Sequence, residues 1–148
     1  VSKPVKAAVL SAGSWGTAFG VVLADAGCDV TLWARRPEVA EAINSTRTNP
    51  DYLPGVELPQ GVRATTDPAE AAADADFTIL SIPSQTLRAN LAEWTPLLAP
   101  DTVLVSLMKG VELGSAMRMS EVIEDVAKVG ADRIAVVTGP NLAREIAA

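Results

Sequence analysis

The chain has no histidine and only one cysteine, Cys28. The first absence removes any Ser-His-Asp or Cys-His catalytic group and any imidazole-ligated metal. The second removes an internal disulfide framework and a cysteine zinc cluster, so no metal site is expected. Cys28 itself follows Gly27 with no basic neighbour to activate it, and a reducing, cytoplasmic setting fits. Positive charge is in the minority: 12 Lys and Arg stand against 18 Asp and Glu, for a net charge of −6. A chain this acidic is a poor polyanion binder, so nucleic acid is not an expected partner. Long apolar runs are missing too. Lys3 and Lys6 precede an uncharged stretch from Ala7 to Ala24, but Ser11, Gly13, Ser14, Gly16, Thr17 and Gly20 interrupt its middle. A signal peptide or membrane span is purest there, so neither is expected. A start at Val1 rather than Met implies processing or trimming.

The remaining composition describes one globular domain over residues 1–148, with 49% hydrophobic and 20% charged residues. Short apolar runs alternate with segments of helical period. Strands are expected at Val5–Leu10, Asp29–Ala34, Val62–Thr65 (an edge), Asp76–Ile82, Thr102–Leu107 and Ile134–Val137. Between them, helices are expected with apolar faces Phe19/Val22/Leu23/Ala26, Val39/Ala40/Ile43, Leu87/Leu91/Trp94/Leu98 and Met119/Val122/Ile123/Val126. Gly27 stops the first helix and Pro37 opens the second. Asp67-Pro68-Ala69-Glu70 reads as a capped helix start, with Glu70 closing a capping box. A last helix runs from Asn141 to Ala148. The stretch 49–62, with Pro50, Pro54, Gly55, Pro59 and Gly61, reads as the longest loop. Strands alternating with helices, and lacking period-two polarity, predict an α/β fold of Rossmann type. It is a doubly wound, mainly parallel sheet with helices on both faces.

The sharpest local signal is Ser11-Ala12-Gly13-Ser14-Trp15-Gly16, set between the first strand and first helix. Its spacing is that of the dinucleotide fingerprint G-x-G-x-x-G, with Ser11 at the first glycine position. Gly13 lets backbone approach a diphosphate, Gly16 lets helix pack on strand, and the helix start offers free N–H groups to the anion. At the end of the second strand the chain reads Ala34-Arg35-Arg36-Pro37, with no carboxylate before the helix. Two guanidinium groups suit a ribose 2′-phosphate, which favours NADPH over NADH, with dual use as the alternative. Further unusual residues follow the later strands: Pro83-Ser84-Gln85, Ser106-Leu107-Met108-Lys109-Gly110 and Thr138-Gly139-Pro140-Asn141. In open α/β sheets these strand ends converge on the ligand crevice. Lys109 is placed to bind a phosphate or polarise a carbonyl. Gly139-Pro140-Asn141 reads as a helix entry with Pro140 at N1 and as a second anion site. Trp33 and Trp94 read as core, whereas Trp15 lies within the phosphate turn.

The stretches Ala12–Ala18 (AGSWGTA), Val30–Arg36 (VTLWARR), Asn49–Gly55 (NPDYLPG), Ser106–Glu112 (SLMKGVE) and Thr138–Ala147 (TGPNLAREIA) together resemble bacterial NAD(P)-dependent glycerol-3-phosphate dehydrogenase. The resemblance runs the length of the chain, in order, and covers the family's N-terminal cofactor domain. It implies interconversion of dihydroxyacetone phosphate and sn-glycerol 3-phosphate for phospholipid synthesis. It also implies cofactor contacts at Ser14, Trp15, Arg35, Arg36, Tyr52, Lys109 and Ala143. Lys109 would touch both cofactor and substrate, with Gly139 and Asn141 at the substrate. The family's proton-transferring lysine belongs to a helical C-terminal domain outside this chain, through which a homodimer could form. Glycine stands in the family pattern where this chain has Ser11. A related β-hydroxyacid or ketopantoate-type reductase would share the sheet and the first turn but not the SLMKG stretch. A nucleotide-sensing module without catalysis is the third reading.

Overall fold

The computed structural model describes residues 2–140 and 142–148. Six strands, β1 (Lys6–Leu10), β2 (Asp29–Trp33), β3 (Val62–Thr65), β4 (Phe77–Leu80), β5 (Val103–Ser106) and β6 (Ile134–Val136), form one sheet in the order β3-β2-β1-β4-β5-β6. All five pairings are parallel. The crossovers carry α1 (Ser14–Asp25), α2 (Pro37–Thr46), α3 (Pro68–Ala72), α4 (Leu87–Trp94) and α5 (Met119–Ala127), and α6 (Ala143–Ile146) follows β6. Strand order reverses between β1 and β4, so the first crossover and the later ones cover opposite faces.

Each face has its own core. Ala7, Val9, Val30, Leu32 and Ile79 pack with Val21, Val39 and Ile43, whereas Leu10, Leu80 and Leu104 pack with Leu87, Leu91, Trp94, Val122 and Ile123. Alternate residues of one strand thus enter different cores, which is why the strands read as unbroken apolar runs. Each fully buried leucine or isoleucine contributes about 1.5–3 kcal/mol. Trp94 is buried and meets half-buried Trp33 edge-on at 5.4 Å, with the Trp33 indole N–H donating to the Thr66 carbonyl. No helix among the described residues is long and apolar enough to cross a membrane.

Four sequence expectations change in detail. Helix α1 buries only part of the expected face: Phe19 and Leu23 are half-buried against the first core, whereas Val22 is 38% exposed and Ala26 is exposed, and Gly16, Thr17, Ala18, Gly20 and Val21 are buried. Close approach selects the small stripe, since a Cβ on Gly20 would lie 3.1 Å from Leu32 Cδ2. At α3, Asp67 does cap, accepting from the Ala69 N–H at 2.9 Å, but Glu70 accepts from the Thr65 hydroxyl. Thr65 Oγ1 then receives the Asp67 N–H in place of Glu70, so the box closes through a third residue. Helix α4 ends at Trp94, and Leu98 follows a separate 3₁₀ turn, Thr95–Leu97. Helix α6 begins at Ala143, after Leu142, so Pro140 is not its N1 residue, and a four-residue helix offers little as an anion site. Asn141 lies outside the described residues.

Candidate functional site

The crevice lies beyond the carboxyl ends of the strands, centred where β1 and β4 adjoin. On one side is the turn Ser11–Gly16. Gly13 caps α1 with extended backbone and no side-chain acceptor, and its carbonyl receives the Thr17 N–H at 2.9 Å. The N–H groups of Ser14, Trp15 and Gly16 find no acceptor among the described residues. They are the unpaired donors of a helix start, reinforced by its dipole.

The two glycines differ in what demands them. A Cβ on Gly16 would lie 2.5 Å from the Ser11 carbonyl oxygen and 3.2 Å from Val9, so the helix could not seat on β1. A Cβ on Gly13 would meet only the Ser11 hydroxyl, at 3.3 Å. Packing therefore does not require glycine at 13, whereas an anion approaching the backbone does. Ser11 fills part of the turn itself: its hydroxyl accepts from the Gly13 N–H at 3.1 Å. That bond takes one amide and leaves the next three.

The turn is clasped from behind by Asn49, which is fully buried. Its side-chain amide donates to the Ala12 carbonyl and to the Thr17 hydroxyl, both at 2.9 Å. The segment after Asn49 folds back over the start of α1. Leu53 is buried and donates its N–H to the Asn49 carbonyl at 2.8 Å, and the Ser14 hydroxyl donates to the Tyr52 carbonyl at 2.5 Å. By composition 49–62 is a loop. Its interior anchors are invisible in composition, although the NPDYLPG motif marked the place. Trp15 turns its ring toward Phe19, centroids 5.6 Å apart, and its buried indole nitrogen has no partner among the described residues. Its free backbone N–H is the part available to a ligand.

At the end of β2 the two arginines separate in role. Arg35 is exposed and makes no hydrogen bond or ion pair among the described residues. Arg36 pairs with Asp51 and, at 3.3 Å, with Glu38, and its guanidinium stands 5.7 Å from the Tyr52 ring centroid. The Asp51 hydrogen bond is the main reason its pKa is raised above the usual arginine value. A carboxylate is thus present at the end of β2 after all. It arrives from 15 residues downstream, within the Asn49–Gly55 segment.

Across the crevice, the loops after β4, β5 and β6 are tied together. Lys109 Nζ donates to the Gly139 carbonyl at 2.7 Å, joining the last two. Gln85 spans the first two: its Nε2 donates to the Val111 carbonyl at 2.8 Å and its Oε1 accepts from the Leu113 N–H at 2.9 Å. Arg88 on α4 grips the same loop, bonding Glu112 at 2.8 and 3.0 Å and Asp125 on α5 at 2.6 Å. Bonds from Arg88 are the main cause holding Glu112 and Asp125 below their ordinary carboxylate values. Lys109 is exposed on this braced loop, a cation that could meet a phosphate or a developing oxyanion. Ala143 opens α6, which packs against α1. The expected site residues thus fall into two groups: Gly13, Ser14, Trp15, Gly16, Arg36 and Tyr52 share one set of contacts, and Lys109 and Gly139 another.

Comparison with known proteins follows the same lines. Residues 6–148 match the family described as NAD-dependent glycerol-3-phosphate dehydrogenase N-terminus. A Streptomyces avermitilis protein named glycerol-3-phosphate dehydrogenase (NAD(P)+) is 86% identical over all of this chain, which spans 44% of that relative. A Streptomyces coelicolor protein of the same name is 83% identical, again over 100% of this chain and 44% of the relative. The crystal structure of glycerol-3-phosphate dehydrogenase from Coxiella burnetii superposes with a TM-score of 0.87 at 29% identity, covering 97% of this chain and 43% of that one. The chain therefore spans less than half the length of these relatives.

Proposed function

This chain belongs to the NAD-dependent glycerol-3-phosphate dehydrogenase N-terminal family, and from that membership we propose that it is the nucleotide-binding domain of an enzyme interconverting sn-glycerol 3-phosphate and dihydroxyacetone phosphate. The observation that carries the reading is the start of α1. Three successive amides lack acceptors there among the described residues, beside a glycine that packing does not require. Both pyridine nucleotides fit this arrangement, since both carry the diphosphate it would hold.

In this reading the N–H groups of Ser14, Trp15 and Gly16 take the diphosphate. Gly13 leaves room for it, and Arg35, Arg36 and Tyr52 receive the adenosine end. Ala143, on the helix packed against α1, completes the cofactor wall. The nicotinamide, when bound, supplies or accepts hydride at its C4 carbon. Lys109 presents its ammonium to the substrate phosphate or carbonyl, where it offsets negative charge that grows as the carbonyl is reduced. Its bond to Gly139 fixes that ammonium over the crevice and places Gly139 beside the substrate, while Asn141, outside the described residues, is assigned to the substrate by the family resemblance alone. Proton transfer to the substrate oxygen belongs to the length present in the relatives and outside this chain. The product, a glycerol phosphate, is the backbone of glycerophospholipids.

Fluorescence titration of this chain with NADPH and with NADH tests the assignment. Binding of at least one is expected, with no consumption of the reduced nucleotide when dihydroxyacetone phosphate is added. Absence of binding by both would remove the proposed site. Sustained turnover would show that the chain holds its own proton donor.

A further inference from the structure

We propose that Asp51 sets the balance between NAD(H) and NADP(H), acting as the carboxylate at the end of β2 that the local sequence Ala34-Arg35-Arg36 lacks. The inference rests on the reading that this end of the crevice takes the adenosine ribose.

In folds of this kind a carboxylate ending the second strand accepts hydrogen bonds from the ribose hydroxyls and repels a 2′-phosphate, whereas an arginine there attracts the phosphate. This chain has both. Asp51 pairs directly with Arg36, and Glu38 meets the same guanidinium at 3.3 Å. The charge that would greet a 2′-phosphate is therefore already balanced by two carboxylates. Only Arg35 is left without a partner among the described residues. A dianionic phosphate entering here must part Asp51 from Arg36 and then sit beside the released carboxylate. A ribose hydroxyl needs neither step and finds an acceptor waiting.

Asp51 is also held in register with the phosphate turn. Asn49, two residues before it, is locked to Ala12 and Thr17, and Tyr52, one residue after it, accepts from Ser14. The bound diphosphate and the carboxylate would thus be fixed relative to one another through one short segment. The Asp51 side chain is itself 52% exposed, so a ligand can reach it.

Asp51→Asn keeps the shape and an acceptor for Arg36 while removing the charge. Titration of wild type and D51N with NADPH and NADH at low and high salt reads the effect. NADPH should bind D51N about tenfold more tightly than wild type at low salt, with a smaller gain at high salt. NADH affinity should fall, by up to about tenfold, because the ribose hydroxyls exchange a charged acceptor for a neutral one. Asp51→Glu should stay near the wild-type ratio, and adding Arg36→Gln to D51N should cancel the gain. Equal changes for both nucleotides would overturn the role of Asp51. If wild type binds neither nucleotide, the assignment of the crevice fails first. If D51N loses its cooperative unfolding, the D51E and Arg36→Gln ratios decide the matter: an unchanged ratio in R36Q counts against the inference.

Discussion

Gly13 and Gly16 are three residues apart, and the structure gives them separable duties. At Gly16 an added methyl group collides with backbone, which cannot rotate away. At Gly13 it meets one hydroxyl that can. Gly16→Ala is therefore expected to destabilise the fold by about 1–3 kcal/mol, as overpacking does. Gly13→Ala should stay close to wild type in urea denaturation yet lose most nucleotide affinity. Equal losses of stability in the two variants would show that both glycines serve packing alone. The sequence made the pair legible because spacing alone carries the fingerprint. Asn49 and Asp51 were not legible, for a physical reason. One is a polar residue whose burial depends on partners 37 and 32 residues away, and the other joins a guanidinium 15 residues upstream. Nothing local in either case distinguishes a site residue from a solvated loop residue. Arg36 shows the converse: as a free cation it favours NADPH, and in the structure its surroundings include two acids.

Elements were read more surely than contacts. The apolar runs located all six strands, with ends differing by at most two residues, because the four inner strands are covered on both faces and stay largely apolar, whereas the edges β3 and β6 expose Arg63 and Val136. Pro37 and Pro68 marked helix starts because a missing N–H costs nothing there. The face of α1 differs in part because hydrophobic periodicity weighs large side chains, and the most deeply buried residues of this helix, Gly16, Thr17, Ala18, Gly20 and Val21, are mostly small, with Phe19 and Leu23 half-buried beside them. Between elements, Arg88 binds α4, the loop carrying Lys109, and α5 into one unit through Glu112 and Asp125. Both carboxyls are held below their ordinary values of 4.5 and 3.8, with Arg88 as the first cause in each case. A lowered folded-state pKa adds stability that is complete above the ordinary value and disappears as pH falls through the lowered one. The margin of wild type over Arg88→Met, followed by thermal unfolding, should accordingly be constant at neutral pH. It should begin to shrink just below pH 4.5 and close in stronger acid. Since these side chains are partly exposed, salt should shrink it as well. A margin unchanged from neutrality into strong acid would mean that the network contributes no charge-dependent stability.

At the scale of the molecule, two cores flank one sheet, and the crevice opens where their crossovers part. Apart from the Tyr52 segment, which follows α2, the proposed cofactor site belongs to segments that leave the carboxyl ends of the strands. Binding should therefore stabilise the chain as a whole. Nucleotide at a hundred times its dissociation constant is expected to add about 2.7 kcal/mol. For a domain of this size that raises the unfolding midpoint by several degrees, in one transition. Calorimetry with and without NADPH and NADH checks this, and an unmoved midpoint under saturation would show that the ligand does not select the folded state. Fold class could be read at this scale from strand–helix alternation alone. The division of the site into two braced halves could not, because it depends on side chains such as Gln85 and Arg88 reaching between loops.

The clasp at Asn49 has one more implication. It commits a proline-rich segment to a single shape during folding, so the entropy of ordering that segment is spent before any nucleotide arrives. The adenosine end of the crevice is a mould cast in advance, and capture there need not wait for a lid to settle.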